Sequence, residues 1–166
     1  MMRLMKNAVT GCMALLCIIL AAGSLRAQDS PVVQRGWGLF EADDYAGTRV
    51  LAEQALQEDE NLLERSRGDL LFMLAYSLMQ LEEYRASINT WHALIELFPR
   101  HPMPWGNLGW TYYKHGDLDS AIIATTRALS FAESSALDWG NLGLCYLAKG
   151  DVENMRRAYG RAARYV

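Results

Sequence analysis

Leu71, Leu74, Leu78 and Leu81, with Leu70 beside them, recur at steps of three and four residues. That spacing lines one face of a helix with 3.6 residues per turn. Leu108 and Tyr112 begin a second stripe of the same period. No stretch alternates apolar and polar residues in the period of two that a strand requires, so the pattern predicts helices alone. Punctuation between the stripes groups the helices in pairs. Gly116 and Gly150 can take the left-handed conformation that closes a helix, and Asp117 and Asp151 can then cap the free N–H groups of the next. Ser135 followed by Asp138 resembles a capping box, and Asn61 followed by Glu64 reads as another helix start. These signals predict pairs at about 30–42 with 44–58, 62–80 with 83–97, 103–115 with 118–132, and 136–149 with 152–165.

The pairs are repeats. Trp105-Gly106-Asn107-Leu108-Gly109 returns 34 residues later as Trp139-Gly140-Asn141-Leu142-Gly143. Tyr112 matches Tyr146, Gly116-Asp117 matches Gly150-Asp151, and Arg127-Ala128 matches Arg161-Ala162. This unit resembles the tetratricopeptide repeat, whose 34 residues carry Trp, Leu-Gly and Tyr on a first helix and small residues on a second. Residues 102–135 and 136–166 carry the signature most fully. A weaker unit at 68–101 keeps Leu71, Leu74, Ala75 and Leu78 but places Leu94 where a small residue is usual. A degenerate unit near 29–62 has Arg35 at a normally apolar position. About five inserted residues precede residue 68, and they are expected to lengthen the next helix by more than a turn.

The resemblance implies an all-α, right-handed solenoid of antiparallel helix hairpins with about four repeats, occupying residues 28–166. Each hairpin buries its apolar face only against its neighbours, so the two best repeats are expected to be the most stable part. First-helix positions that face away from the second helix would line a concave groove. In this sequence they are Asn107, Trp110 and Tyr113, then Asn141 and Leu144, then Phe72, Met73, Tyr76 and Met79, then Gln34, Trp37 and Phe40. Some family members hold a peptide backbone with asparagines at the position of Asn107 and Asn141. A carboxamide both donates and accepts, so it can pair with an amide bond whatever the peptide's side chains. Local hydrogen bonding between repeats is the competing role for both residues. Trp, Tyr, Phe and Met around them would anchor an apolar ligand; equally, such a stripe can be core, or be filled by the chain's own N-terminal segment or a second copy.

Charge and cysteines narrow the setting. The net charge of −3 includes a basic leader. Residues 28–67 carry nine acids and four bases, whereas 101–166 carry six acids and seven bases. The front is therefore acidic and the end slightly basic, which argues against general nucleic-acid binding. Arg3 and Lys6, the uncharged apolar stretch Ala8–Ala22, and the small residues Gly23, Ser24 and Ala27 read as a signal peptide over 1–27. An uncleaved anchor at 8–22 is the alternative, although a spanning helix wants roughly 20 apolar residues. Export to a bacterial periplasm or secretion follows, with membrane contact only through an uncleaved signal. Cys12 and Cys17 leave with the leader, so Cys145 is left with neither a disulfide partner nor a cysteine-based metal site and reads as a small buried hydrophobe.

No catalytic constellation stands out. His92, His101 and His115 are too far apart in sequence to put two ligands on one helix face, and no Gly-x-Ser-x-Gly or phosphate-binding loop occurs. The acid pairs Asp43-Asp44 and Glu82-Glu83 fall at helix ends, where solvated caps are expected. Arg156, Arg157, Arg161 and Arg164 make the last helix basic, as a polar terminal cap or as a surface for an acidic partner. The expectation is a non-enzymatic module, without cofactor or metal, that binds a peptide or helix in its groove as an envelope adaptor. The alternative is a structural subunit of an envelope, secretion or pilus-type assembly, using the convex face or the arginine-rich helix. If the leader is a cleaved signal, the intact mass of the exported protein will correspond to a chain beginning at Gln28; a mass retaining residues 1–27 would contradict cleavage.

Overall fold

The computed structural model describes residues 30–59 and 62–165. Among them are eight α-helices and no strand: α1 Pro31–Glu41, α2 Tyr45–Glu58, α3 Glu64–Gln80, α4 Tyr84–Leu97, α5 Pro102–His115, α6 Leu118–Phe131, α7 Ala136–Ala148 and α8 Val152–Ala162. The expected signal peptide at 1–27 and the expected helix start at Asn61 lie outside the described residues. Helix α3 starts at Glu64 with no side-chain cap and has 17 residues against 14 in α5, a lengthening of slightly less than one turn.

One turn, used four times, makes each hairpin. The N–H groups of Asp44, Glu83, Asp117 and Asp151 bond back to the carbonyls of Leu39, Leu78, Tyr112 and Tyr146, at 2.8–3.0 Å. The preceding residue bonds one turn back and is left-handed in every case: Asp43 at φ 56°, Glu82 at 62°, Gly116 at 90° and Gly150 at 75°. This is the six-to-one helix stop that a glycine adopts without steric cost. In the first two hairpins the acid pairs therefore do more than cap, because their first member takes the glycine's place. The second member then starts the return helix: Asp44, Asp117 and Asp151 accept the N–H three residues on, at 2.9–3.1 Å. Glu83 makes no such bond and instead accepts from the Arg49 guanidinium at 2.6 Å.

Between hairpins a second link recurs. The indole N–H of Trp105 donates to the Pro99 carbonyl, and that of Trp139 to the Glu133 carbonyl, 34 residues on. Each tryptophan thus ties its helix to the turn before it. Gly109 marks the closest approach of α5 to α6: a Cβ there would strike the Thr125 side chain and lie 3.0 Å from the Thr125 nitrogen. At the equivalent Gly143 the opposing atoms belong to the Tyr159 ring instead.

The core is largest where the repeat signature is weaker. Leu70, Met73, Leu74, Trp91 and Leu94 belong to one buried cluster that runs from α1 to α6, whereas only Leu129, Leu142 and Ala158 form the buried cluster at the C-terminal end. Signature residues such as Gly and Ala allow close approach but bury little area, and large side chains supply the burial. Leu94 fits at its usually small position because Gly68 faces the same space, where a Cβ would meet Phe98 at 2.6 Å and Leu94 at 3.8 Å. Met73 is 0 % exposed, its sulfur and methyl packed on Gly36. The groove assignment of Met73 is therefore corrected: it is a core residue, as are Phe72 and Met79.

Two outcomes follow. Truncating Met73 to Ala will cost about 3 kcal/mol in urea denaturation, since the site cannot collapse fully; a loss below about 0.5 kcal/mol would contradict its core placement. Glu82→Gly will raise stability by about 0.5–1 kcal/mol by relieving the left-handed backbone. A lower midpoint would show that the glutamate side chain, and not the turn, governs this site.

Candidate functional site: an apolar concave face open at its C-terminal half

The odd-numbered helices α1, α3, α5 and α7 touch one another along the stack, whereas the even-numbered helices make no comparable mutual contact. The stack therefore curves with the odd-numbered helices inside, and the groove positions lie on them.

The two halves of that inner face differ. At the front, aromatic rings fill the space between helices. Trp37 lies 5.8 Å from Phe72, Phe40 lies 5.2 Å from Tyr76, and Phe72 meets Trp91 edge-on at 5.8 Å. Tyr45 joins the group through Phe40 and Tyr76. Edge-to-face and tilted pairs at these distances are favourable packing. Trp37, Phe40 and Tyr76 remain half-buried, so the front offers ring edges over a closed floor.

At the back, the positions of the buried Met73 and Met79 are taken by the half-buried Asn107 and Tyr113. Trp110 and Tyr113 on α5 stack on each other at 5.1 Å and 18°, both half-buried. On α7, Asn141 and Leu144 are half-buried, and the exposed Leu137 and Leu147 extend the same stripe. Met103 occupies on α5 the position of Leu137 on α7. Sequence reasoning omitted these three residues. Leu137 and Met103 lie four residues before Asn141 and Asn107, and Leu147 lies three after Leu144 and 34 after Tyr113, which was the available signal.

The two asparagines are not equivalent. Asn107 donates through its carboxamide nitrogen to the Met103 carbonyl one turn back, at 3.0 Å. Among the described residues no hydrogen bond engages the Asn141 carboxamide, which is half-buried. Binding through Asn107 would use its oxygen, or exchange the intrahelical bond. The carboxamide of Asn141 has both functions to offer.

The basic end is partly committed to structure. Arg161 pairs with Glu133 at 3.1 Å and lies 5.7 Å from the Trp139 ring. Arg127, one repeat earlier, lies 6.0 Å from Trp105 and 4.8 Å from Phe131. The matched arginines thus cover the matched tryptophans by cation–π contact, a packing role that their pairing in sequence already hinted at. Arg157 pairs with Glu153 one turn away on the same helix. Arg156 and Arg164 are exposed with no ion-pair partner among the described residues.

The remaining polar groups serve the scaffold. His101 caps α5 by accepting the Met103 N–H, His92 meets the Tyr112 hydroxyl at 3.2 Å, and His115 packs beside Tyr84. Burial pushes the Cys145 thiol up to about 11, so it stays protonated at neutral pH. Burial likewise raises the Asp138 carboxyl, against the opposing hydrogen bond from Ser135. Among the described residues no group of three His, Cys, Asp or Glu side chains could hold a metal ion, and no helix is long and apolar enough to cross a membrane.

Comparison with known proteins places this architecture. No curated protein matches the chain in sequence. Among solved structures, MamA from Desulfovibrio magneticus RS-1 (residues 41 to the end) superposes with a TM-score of 0.75 at 16% identity, over 98% of this chain and 93% of that one. A further MamA crystal structure gives 0.74 at 17%, over 97% and 90%. A third, MamA MSR-1, gives 0.70 at 15%, over 81% and 74%. At such identities the likeness is one of fold, an α-solenoid of helix hairpins. The tetratricopeptide repeat family itself matches residues 72–136 and again 139–165, more than half the chain. The chain belongs to the tetratricopeptide repeat family, a family of protein-interaction scaffolds.

Proposed function

We propose that the protein is a non-catalytic adaptor of the bacterial envelope that captures a short apolar peptide or amphipathic helix on the inner faces of α5 and α7. The carrying observation is the contrast within one concave surface. At the front Phe72, Met73 and Met79 are buried, while at the back Asn107 and Tyr113, the equivalents of Met73 and Met79, are half-buried, as are Trp110 and Leu144, and Leu137 and Leu147 are exposed. Interface anchors are typically aromatic and large aliphatic side chains at accessible, concave positions. Asn141, and Asn107 through its oxygen, would orient the ligand backbone between those anchors. The open region spans two repeats, which suits a ligand of two or three helical turns and not a long extended strand. Export by the leader at 1–27 would place this surface in the periplasm or outside the cell.

Peptides selected by display on the purified chain test this reading. The combined variant Asn107→Ala and Asn141→Ala, and separately Trp110→Ala with Leu144→Ala, are each expected to weaken the selected peptides about tenfold or more, which corresponds to about 1.4 kcal/mol. Retained cooperative thermal unfolding will establish that both variants fold. Unchanged affinity in both would overturn the groove assignment.

A further inference from the structure

The fourth hairpin has the surface features of a hairpin that another helix covers. In the third hairpin, α7 covers one side, and the residues beneath it can be compared with their equivalents 34 positions on. Thr125 is 0 % exposed but Tyr159 is 36 % exposed. Leu129 is buried but Ala163 is exposed, and the half-buried Leu118 becomes the exposed Val152. Gly106 gives the sharpest comparison. A Cβ there would lie 2.6 Å from the Asp138 carboxylate of α7, whereas a Cβ on Gly140 would meet nothing within 4 Å. The seat that a carboxylate fills over Gly106 is thus repeated, open, over Gly140.

Charge indicates what belongs on this face. Ile122, which packs with the cluster of Leu129 and Leu142, is replaced at its equivalent position by Arg156. Arg156 and Arg164 are exposed, and neither has an ion-pair partner among the described residues; Arg157 and Arg161 pair with Glu153 and Glu133. A helix docking here as α7 docks on α6 would bring its residue at the Leu142 position toward Arg156. A second copy of this chain is poorly suited to that place, because its α1 carries the exposed Arg35 at that position and would set arginine against arginine.

We infer that α7 and α8 form a second docking surface, distinct from the concave groove, for an acidic amphipathic helix of a partner protein. That helix carries two carboxylates four residues apart on one face. The first sits over Gly140 as Asp138 sits over Gly106, and the second pairs with Arg156. Its apolar residues cover Val152 and Tyr159, continuing the stack by one helix. Such a pair at i and i+4 is presented side by side by helical geometry.

A defined probe tests this: a stapled helical peptide of residues 135–149 with Leu142→Glu and Cys145→Ser, titrated into the full chain by fluorescence anisotropy. Saturable binding is expected. It should weaken about tenfold with Arg156→Glu on the chain, and by a similar factor when the peptide's new glutamate is changed to Gln. It should weaken with added salt and be unaffected by Asn107→Ala with Asn141→Ala, which separates this surface from the groove. Arg156 is exposed, so the variant will fold, and Arg156→Gln gives an intermediate affinity. Absence of binding, binding indifferent to Arg156, or binding lost in the groove variant would each overturn the inference. So would concentration-dependent self-association in sedimentation that Arg156→Glu abolishes, since a second copy would then be the occupant.

Discussion

A left-handed residue between two helices, held by a six-to-one backbone hydrogen bond, sets the geometry on which everything else in this protein rests. It occurs at Asp43, Glu82, Gly116 and Gly150, and each time it reverses the chain within two or three residues. Only a reversal that short lays the return helix antiparallel against the first. The tryptophan-to-carbonyl bonds from Trp105 and Trp139 then fix the step from one hairpin to the next. Curvature follows from repeating the same two joints, and a concave face follows from curvature.

Packing then divides that face into unequal parts. The second hairpin departs from the repeat signature at Leu94 and also carries Phe72, Met73 and Trp91, and these large side chains build the main core. By drawing Phe72 and Met73 inward, they close the front of the groove. The later hairpins follow the signature closely, with glycines at the helix crossings and fewer large buried residues. Their aromatic and leucine side chains consequently remain on the inner surface. Stability and binding are thus supplied by different repeats, and the departures from the family pattern are what separate them.

Helices, pairing and repeat register were all legible in the sequence, because glycine, aspartate and tryptophan at 34-residue spacing each answer a local backbone requirement. The groove was legible only in part. Position in a repeat put Trp110, Tyr113, Asn141 and Leu144 on first helices, where they are half-buried, yet the same rule placed Met73 on the surface when it is wholly buried against Gly36. The repeat position gives the direction of a side chain, while burial depends on how closely the neighbouring helix approaches, and that is set by residues in another repeat. Asn107 illustrates a related gap: its bond to the Met103 carbonyl competes with any role toward a ligand, and helical spacing cannot decide between them. The four arginines at 156–164 read as one basic patch in sequence, but ring and carboxylate contacts engage Arg161 and a carboxylate engages Arg157, leaving Arg156 and Arg164 exposed.

The central claim is that the groove holds its peptide on the open half of the inner face. Amide hydrogen exchange of the full chain, with and without a peptide selected on it, measures this directly, because protection reports which helices a ligand holds closed. The account predicts added protection in α5 and α7, with α1 and α3 unchanged. Protection centred on α1 and α3, or spread over the even-numbered helices, would contradict it.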